Sequence, residues 1–109
     1  MIKIEKIRLD EVAKFIEPEL IETAEPLDYL DYVDEPAIVA IDADGDVDLL
    51  DGYHRIAGLI VDGVSRCEQI EVIISDNDDL NQFVADKESG EYNEMAISLV
   101  QKMAKEKEE

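Results

Sequence analysis

A chain of 109 residues, 46% of them hydrophobic, suits one small folded domain with one modest core and is too short for two. Its 29 Asp and Glu against 10 Lys and Arg give a formal net charge of -19. That charge excludes a freestanding binder of duplex DNA or anionic membrane, since both require a positive field. One cysteine, Cys67, and one histidine, His54, exclude an intrachain disulfide, a cysteine-rich zinc site and a multi-histidine metal centre. No apolar run approaches the ~20 residues that cross a bilayer. The start, Met1-Ile2-Lys3-Ile4-Glu5, lacks the apolar stretch of a secretory signal. A soluble, cytoplasmic protein is expected, in the host cytoplasm if the source is a phage.

In chain order, Ile2 and Ile4, then Ile7 and Leu9 after a shift of phase, predict a short strand. Asp10 is placed to cap a helical turn carrying Val12, Ala13, Phe15 and Ile16, which ends before Pro18. From Glu19 to Asp34 the apolar spacing is mixed and Pro26 interrupts it, so short helical turns or irregular loop are expected. Ala37-Ile38-Val39-Ala40-Ile41 and Val47-Asp48-Leu49-Leu50, joined through Asp44-Gly45, read as a β-hairpin. A short helix follows from His54 to Asp62 with Gly63 as its stop, and Gln69 to Ser75 is a strong strand. Asn77 or Asp78 then caps a helix through Leu80, Phe83, Val84 and Ala85 that closes near Ser89-Gly90. Tyr92, Met95 or Ala96, Leu99 and Met103 recur at helical spacing in a last helix, with a frayed tail expected from residue 104 onward. The expectation is a small single α+β domain, a short mixed sheet with a central hairpin packed against helices.

The charge is unevenly distributed. Between Glu17 and Asp51 thirteen acidic side chains occur with no basic one, and from Asp76 to Glu94 seven acids meet only Lys87. Between Lys14 and Arg66 the sole formally cationic side chain is Arg55, directly after the sole histidine. The acid-rich surface has an ordinary reading as a solvated, soluble exterior, and a sharper one as carboxylates presented to a basic partner.

Around Arg55 the segment Leu49-Leu50-Asp51-Gly52-Tyr53-His54-Arg55-Ile56-Ala57-Gly58-Leu59 takes the chain from a buried strand through a glycine turn straight into a helix. The first amides of such a helix are unpaired and carry the positive end of its dipole, which favours a phosphate or other oxyanion. An Arg in the first turn adds a bidentate fork, a His can donate or move a proton, and Asp51 can orient either or hold a metal ion. The simpler alternative is that Asp51 caps the helix while His54 and Arg55 pair with nearby carboxylates.

Leu50-Asp51-Gly52-Tyr53-His54-Arg55-Ile56-Ala57-Gly58-Leu59 resembles the DGxHRxxA signature of ParB/sulfiredoxin-like domains. In that family a hairpin precedes the motif and an apolar strand follows it, as Ala37 to Leu50 and Glu71 to Ile74 do here. The resemblance spans roughly residues 2 to 75, and its specific part is the ten-residue motif. It implies nucleotide-phosphate binding by Gly52, His54 and Arg55. Asp51 matches an acidic position that, in the kinase-like branch, lies close to the transferred phosphate or its metal. Asp51 and His54 are thus the candidate catalytic pair, with a nucleotide and Mg2+ as the implied ligands and no resident metal site. Three departures narrow this. Tyr53 stands where sulfiredoxins carry the reactive Cys, so sulfinic-acid repair is not expected. His54-Arg55 stands where partition ParB proteins carry Glu-Arg-Arg, and no helix-turn-helix follows, so centromere binding is not expected. The kinase-like branch uses an upstream carboxylate as base, for which Glu17 and Glu19 are both available.

Three other features have structural readings beside functional ones. Asp42-x-Asp44-Gly45-Asp46-x-Asp48 superficially suggests calcium, but an EF-hand places its glycine sixth and a Glu twelfth, so a hairpin turn is expected. Tyr29 and Tyr32, among Asp28, Asp31 and Asp34, are either interface contacts or core-edge packing. Cys67, beside Arg66, is either partly activated or a plain structural thiol.

Two functions therefore compete. One is nucleotide or phosphate binding, with phosphotransfer or hydrolysis at the Asp51–Arg55 turn. The other is an acidic nucleic-acid mimic or inhibitor of the phage or plasmid anti-defence type. It would bind a basic protein, such as a nucleic-acid-binding enzyme, through Asp28, Tyr29, Asp31, Tyr32, Asp34, Asp44 and Asp46 without catalysis.

Overall fold

A computed structural model describes residues 2–107. Strand β1 (Ile2–Arg8) leads into helices α1 (Leu9–Ala13), α2 (Pro18–Thr23) and α3 (Tyr29–Tyr32). Strands β2 (Ala37–Ile41) and β3 (Val47–Asp51) form the hairpin, followed by α4 (Tyr53–Val61) and β4 (Gln69–Ser75). Helix α5 (Asp78–Ala85), a 3-10 turn (Lys87–Ser89) and α6 (Glu91–Lys107) complete the domain. Among the described residues no helix is long and apolar enough to cross a membrane.

The four strands lie in the order β1-β4-β2-β3. β1 runs antiparallel to β4, β4 parallel to β2, and β2 antiparallel to β3, so the α+β class and mixed sheet hold. The hairpin is not central: β3 is an edge strand, and the middle belongs to β4 and β2. The composition of β4 explains its position. Ile70, Val72 and Ile74 enter a core on one face while Ile73 enters a core on the other, so the strand is apolar on both sides.

Helices cover both faces. α1 to α4 close over Val39, Leu49, Val72 and Ile74, whereas α5 and α6 close over Ile2, Ile38, Leu50 and Ile73. The phase shift in β1 needs no irregularity, because its seven residues pair in continuous register with β4. Ile2 and Ile4 pack under α6, and Ile7, of opposite parity, packs on the other face, where Leu9 continues the core. Asp10 lies inside α1 rather than capping it, since the helix begins at Leu9.

At the C-terminus α6 continues to Lys107, and Ala104, inside the segment expected to fray, is buried. Residues 108 and 109 fall outside the described region. Of Tyr92, Met95 or Ala96, Leu99 and Met103, the residues at helical spacing, Ala96 and Met103 pack against the core. Ala96, Val100 and Ala104 form the buried seam of α6, while Tyr92, Met95 and Leu99 are exposed. The i, i+4, i+8 row of small residues lets α6 lie close against the sheet.

Candidate functional site

The site begins with a break in the hairpin. β2 and β3 pair as Val39↔Leu49 and then Ile38↔Asp51, so Leu50 is the extra residue of a β-bulge immediately before the motif. Gly52 follows in the left-handed region, at φ 106°, and heads α4. A Cβ at that position would lie 2.7 Å from the Ala37 Cβ and 2.9 Å from its Cα, so space and backbone conformation both require glycine. Further along α4, Ala57 and Gly58 are buried, and the Gly58 carbonyl accepts a hydrogen bond from the Leu27 amide at 3.0 Å. A Cβ on Gly58 would meet the Leu27 Cβ at 2.8 Å, so this glycine lets the α2–α3 connection cross the helix.

Arg55 is not the isolated cation that the sequence implies. Its Nη2 donates to Asp51 Oδ2 at 2.6 Å, and its Nη1 donates to Glu35 Oε2 at 3.2 Å. The two partners differ in exposure. The Asp51 side chain is 26% exposed and the Glu35 side chain 66%. Arg55 Nε is buried without a hydrogen-bond partner among the described residues, so the guanidinium keeps one unused donor. The simpler sequence reading, in which Arg55 pairs with nearby carboxylates, is thus met for Arg55. It is not met for His54, whose exposed imidazole makes no hydrogen bond or ion pair among the described residues.

Beside these groups is a recess of about 200 Å3 lined by Asp51, Gly52, Tyr53, His54, Arg55 and Lys87. Lys87 reaches it from the 3-10 turn on the other side of the sheet, with Nζ 4.8 Å from the centroid of the Tyr53 ring. Tyr53 is itself anchored, its hydroxyl donating to the Leu49 carbonyl at 2.8 Å. Partial burial, then the Asp48 and Asp51 charges, hold that hydroxyl above the ordinary tyrosine range. Sequence reading missed Lys87 as a member of the site. Its one available signal was that Lys87 is the only cation in the second acidic stretch.

Asp51 and His54 are both on the recess, but no hydrogen bond joins them, and Asp51 is committed to Arg55. A general base held by an orienting acid is therefore not assembled from this pair. Glu17 precedes α2 and Glu19 lies within it, and neither lines the recess. Among the described residues no three His, Cys, Asp or Glu side chains converge to hold a metal ion. The hairpin loop behaves as a turn: Asp42 Oδ1 accepts from the amides of Asp44 and Asp46, both at 2.9 Å.

The predicted partner surface is only partly present. Asp28, Asp31, Asp34, Asp44 and Asp46 are exposed. Tyr32 is withdrawn from it, being fully buried with its hydroxyl donating to the Glu71 carbonyl at 2.6 Å and accepting from the Ala37 amide at 3.2 Å. Tyr29 stacks on it, ring centroids 5.8 Å apart, and its hydroxyl accepts from the Glu71 amide at 3.3 Å. The cause is topological. β2 starts at Ala37 opposite Val72, which leaves the Glu71 peptide without a strand partner on that side, and the two tyrosines supply the missing hydrogen bonds. Cys67 is exposed, and the cation beside its Sγ is Arg8, with Nη2 at 3.7 Å.

No protein-family description, curated protein or solved structure matches this chain.

Proposed function

We propose that this is a ParB/sulfiredoxin-like domain that binds the phosphate group of a nucleotide at the turn between β3 and α4. The observation that carries the reading is convergence on one recess. The amino end of a nine-residue helix, an imidazole with no partner among the described residues, the Arg55 guanidinium and the Lys87 side chain line it in a chain of net charge -19. Gly52 contributes no capping side chain, which keeps the first amides of α4 available to an oxyanion. The order of hairpin, motif, helix and apolar strand is the one that the resemblance implies.

The size of the recess sets what enters it. At about 200 Å3 it falls below the ~300–1,000 Å3 of clefts that enclose a drug-sized ligand. A phosphate group fits, and the nucleoside lies outside it. The global charge opposes a free polyphosphate, so Mg2+ arrives with the ligand, carried on its own oxygens, and offsets part of the repulsion. Binding alone is proposed, because Asp51 is occupied by Arg55 and, among the described residues, nothing orients the His54 imidazole.

Calorimetric titration with ADP, ATP and CTP, each with and without Mg2+, tests it. Binding that falls about tenfold or more in Lys87→Ala and Arg55→Ala supports the reading, each having lost one charged donor. Absence of binding to all three nucleotides, or binding by both variants that equals that of the unaltered protein, overturns it.

A second reading, attachment of a basic protein, is favoured by the exposure of Asp28, Asp31 and Asp34 around α3, with Leu30 74% exposed among them. It predicts a salt-sensitive association with a lysine-rich polypeptide that is lost when all three are changed to Asn. Unchanged association in that triple variant removes it.

A further inference from the structure

An exposed apolar groove lies on α5 and α6, lined by none of the residues of the phosphate recess. There a groove of about 700 Å3 is floored by Leu80 and Phe83 of α5 and by Tyr92, Met95 and Leu99 of α6. Phe83 is 48% exposed, Tyr92 66%, Met95 61% and Leu99 44%. Four large side chains exposed side by side differ from the scattered apolar residues of an ordinary surface. On α6 the fully buried seam is Ala96, Val100 and Ala104, with Ile97 and Met103 partly buried against the same core, while Tyr92, Met95 and Leu99 face outward. Those outward three belong to neither core.

We infer that the groove is the docking site of an amphipathic helix from a partner protein, its apolar face flanked by Lys and Arg. The shape is suited to a helix. Leu80 and Phe83 form one short ridge at i, i+3, and Tyr92, Met95 and Leu99 form a second at i, i+3, i+7, with a channel between them. The ridges are held in place before any partner arrives. Asn93 donates through Nδ2 to the carbonyls of both Phe83 and Val84, tying the end of α5 to α6, and the Phe83 and Tyr92 rings lie 6.4 Å apart. A preformed groove lowers the ordering cost of binding, and the mix of Met with aromatic rings gives adaptable contact area.

Charge selects the occupant. Glu91 and Glu94 line the groove, and no Lys, Arg or His does. A second copy of this chain would set those glutamates against their own kind, with -19 on each body. An anionic lipid surface is repelled for the same reason. A helix with basic flanks gains at the rim as well as at the floor.

The probe is a synthetic Leu/Lys amphipathic helix carrying one Trp. The protein has no Trp, so indole emission reports on the peptide alone. Two control peptides are used, a scrambled sequence of equal charge without an apolar face and a Glu-flanked version with the same face. Expected is saturable binding of the first peptide, weakened about tenfold or more by Met95→Glu and by Leu99→Glu and kept in the Asp28/Asp31/Asp34→Asn triple variant. Both groove positions are exposed, so circular dichroism of these variants is expected to be unchanged. Equal binding of the scrambled or Glu-flanked peptide, or binding that survives both groove variants, overturns the inference. So does sedimentation showing a dimer of the protein that Met95→Glu dissolves, since the groove then holds a second copy.

Discussion

Asp51 and Arg55 face each other across the Gly52 turn, four residues apart, with Oδ2 and Nη2 at 2.6 Å. The pair joins the end of an edge strand to the first turn of a helix, and it fixes the guanidinium at the mouth of the recess. The second arm, Arg55 to Glu35, is longer at 3.2 Å and ends on a carboxylate that is 66% exposed. The two arms therefore have different roles. In the proposed phosphate reading, Asp51 positions the guanidinium, and Glu35 occupies a donor that an incoming phosphate would take over.

Glu35→Gln is accordingly expected to tighten nucleotide binding. An exposed ion pair is worth roughly 0.2–1 kcal/mol, so removing the competitor raises affinity by up to about fivefold. Asp51→Asn acts in the opposite direction, because it releases the guanidinium from its anchor. Titrating both variants against ADP with Mg2+ gives the comparison, and matched affinities would show that neither arm bears on the ligand.

Gly52→Ala is expected to destabilise the fold. The left-handed backbone costs an L-residue roughly 1–2 kcal/mol. Crowding against Ala37, whose Cβ would be 2.7 Å away, adds about 1–3 kcal/mol. For a domain of this size that lowers Tm by roughly 10–20 °C. Gly45, also at positive φ in the hairpin turn, has open space around a new Cβ. Gly45→Ala is thus expected to lose less, and thermal melts of the two proteins compare them.

Alkaline pH is expected to unfold the protein through Tyr32. Burial holds its hydroxyl well above the ordinary tyrosine range, so the folded protein keeps a proton that the unfolded chain releases. This contribution to stability is complete below the unfolded pKa of about 10 and is lost above it, at roughly 1.4 kcal/mol per pH unit. Tyr53, raised by partial burial, acts with the same sign. Tyr32→Phe leaves the Glu71 carbonyl and Ala37 amide unpaired and costs about 2–3 kcal/mol near neutrality. Its stability should then fall less steeply between pH 10 and pH 11, as read by urea denaturation (two pH values within ~1 unit of the tyrosine pKa).

Much of the fold was legible because it rests on local patterns. The strand Gln69–Ser75, the hairpin strands and the helix after Gly52 follow from apolar runs and turn residues, and the structure places them close to where those signals stand. Relations between distant segments were not legible. The hairpin's position at the sheet edge depends on β4 inserting between β1 and β2, which no local pattern encodes. On α6 the helical spacing left Met95 and Ala96 as alternatives, and close approach to the sheet selected Ala96, with Val100 and Ala104. Tyr29 and Tyr32, which the sequence left as either interface contacts or core-edge packing, take the second role, Tyr32 buried and Tyr29 stacked on it beside the Glu71 peptide. At the candidate site Gly52, His54 and Arg55, which the motif names, line one recess. Glu35 and Lys87 entered only through tertiary structure, twenty residues before Arg55 and thirty-two after it.

The most direct test of the phosphate reading is a 15N–1H NMR titration of the whole chain with ADP and Mg2+. The account predicts saturable shifts centred on the amides of Gly52, Tyr53, His54, Arg55 and Lys87, abolished by Arg55→Ala in a protein whose remaining spectrum stays folded. A folded spectrum with no shifts at these amides at saturating nucleotide, or shifts that persist unchanged in Arg55→Ala, would contradict it.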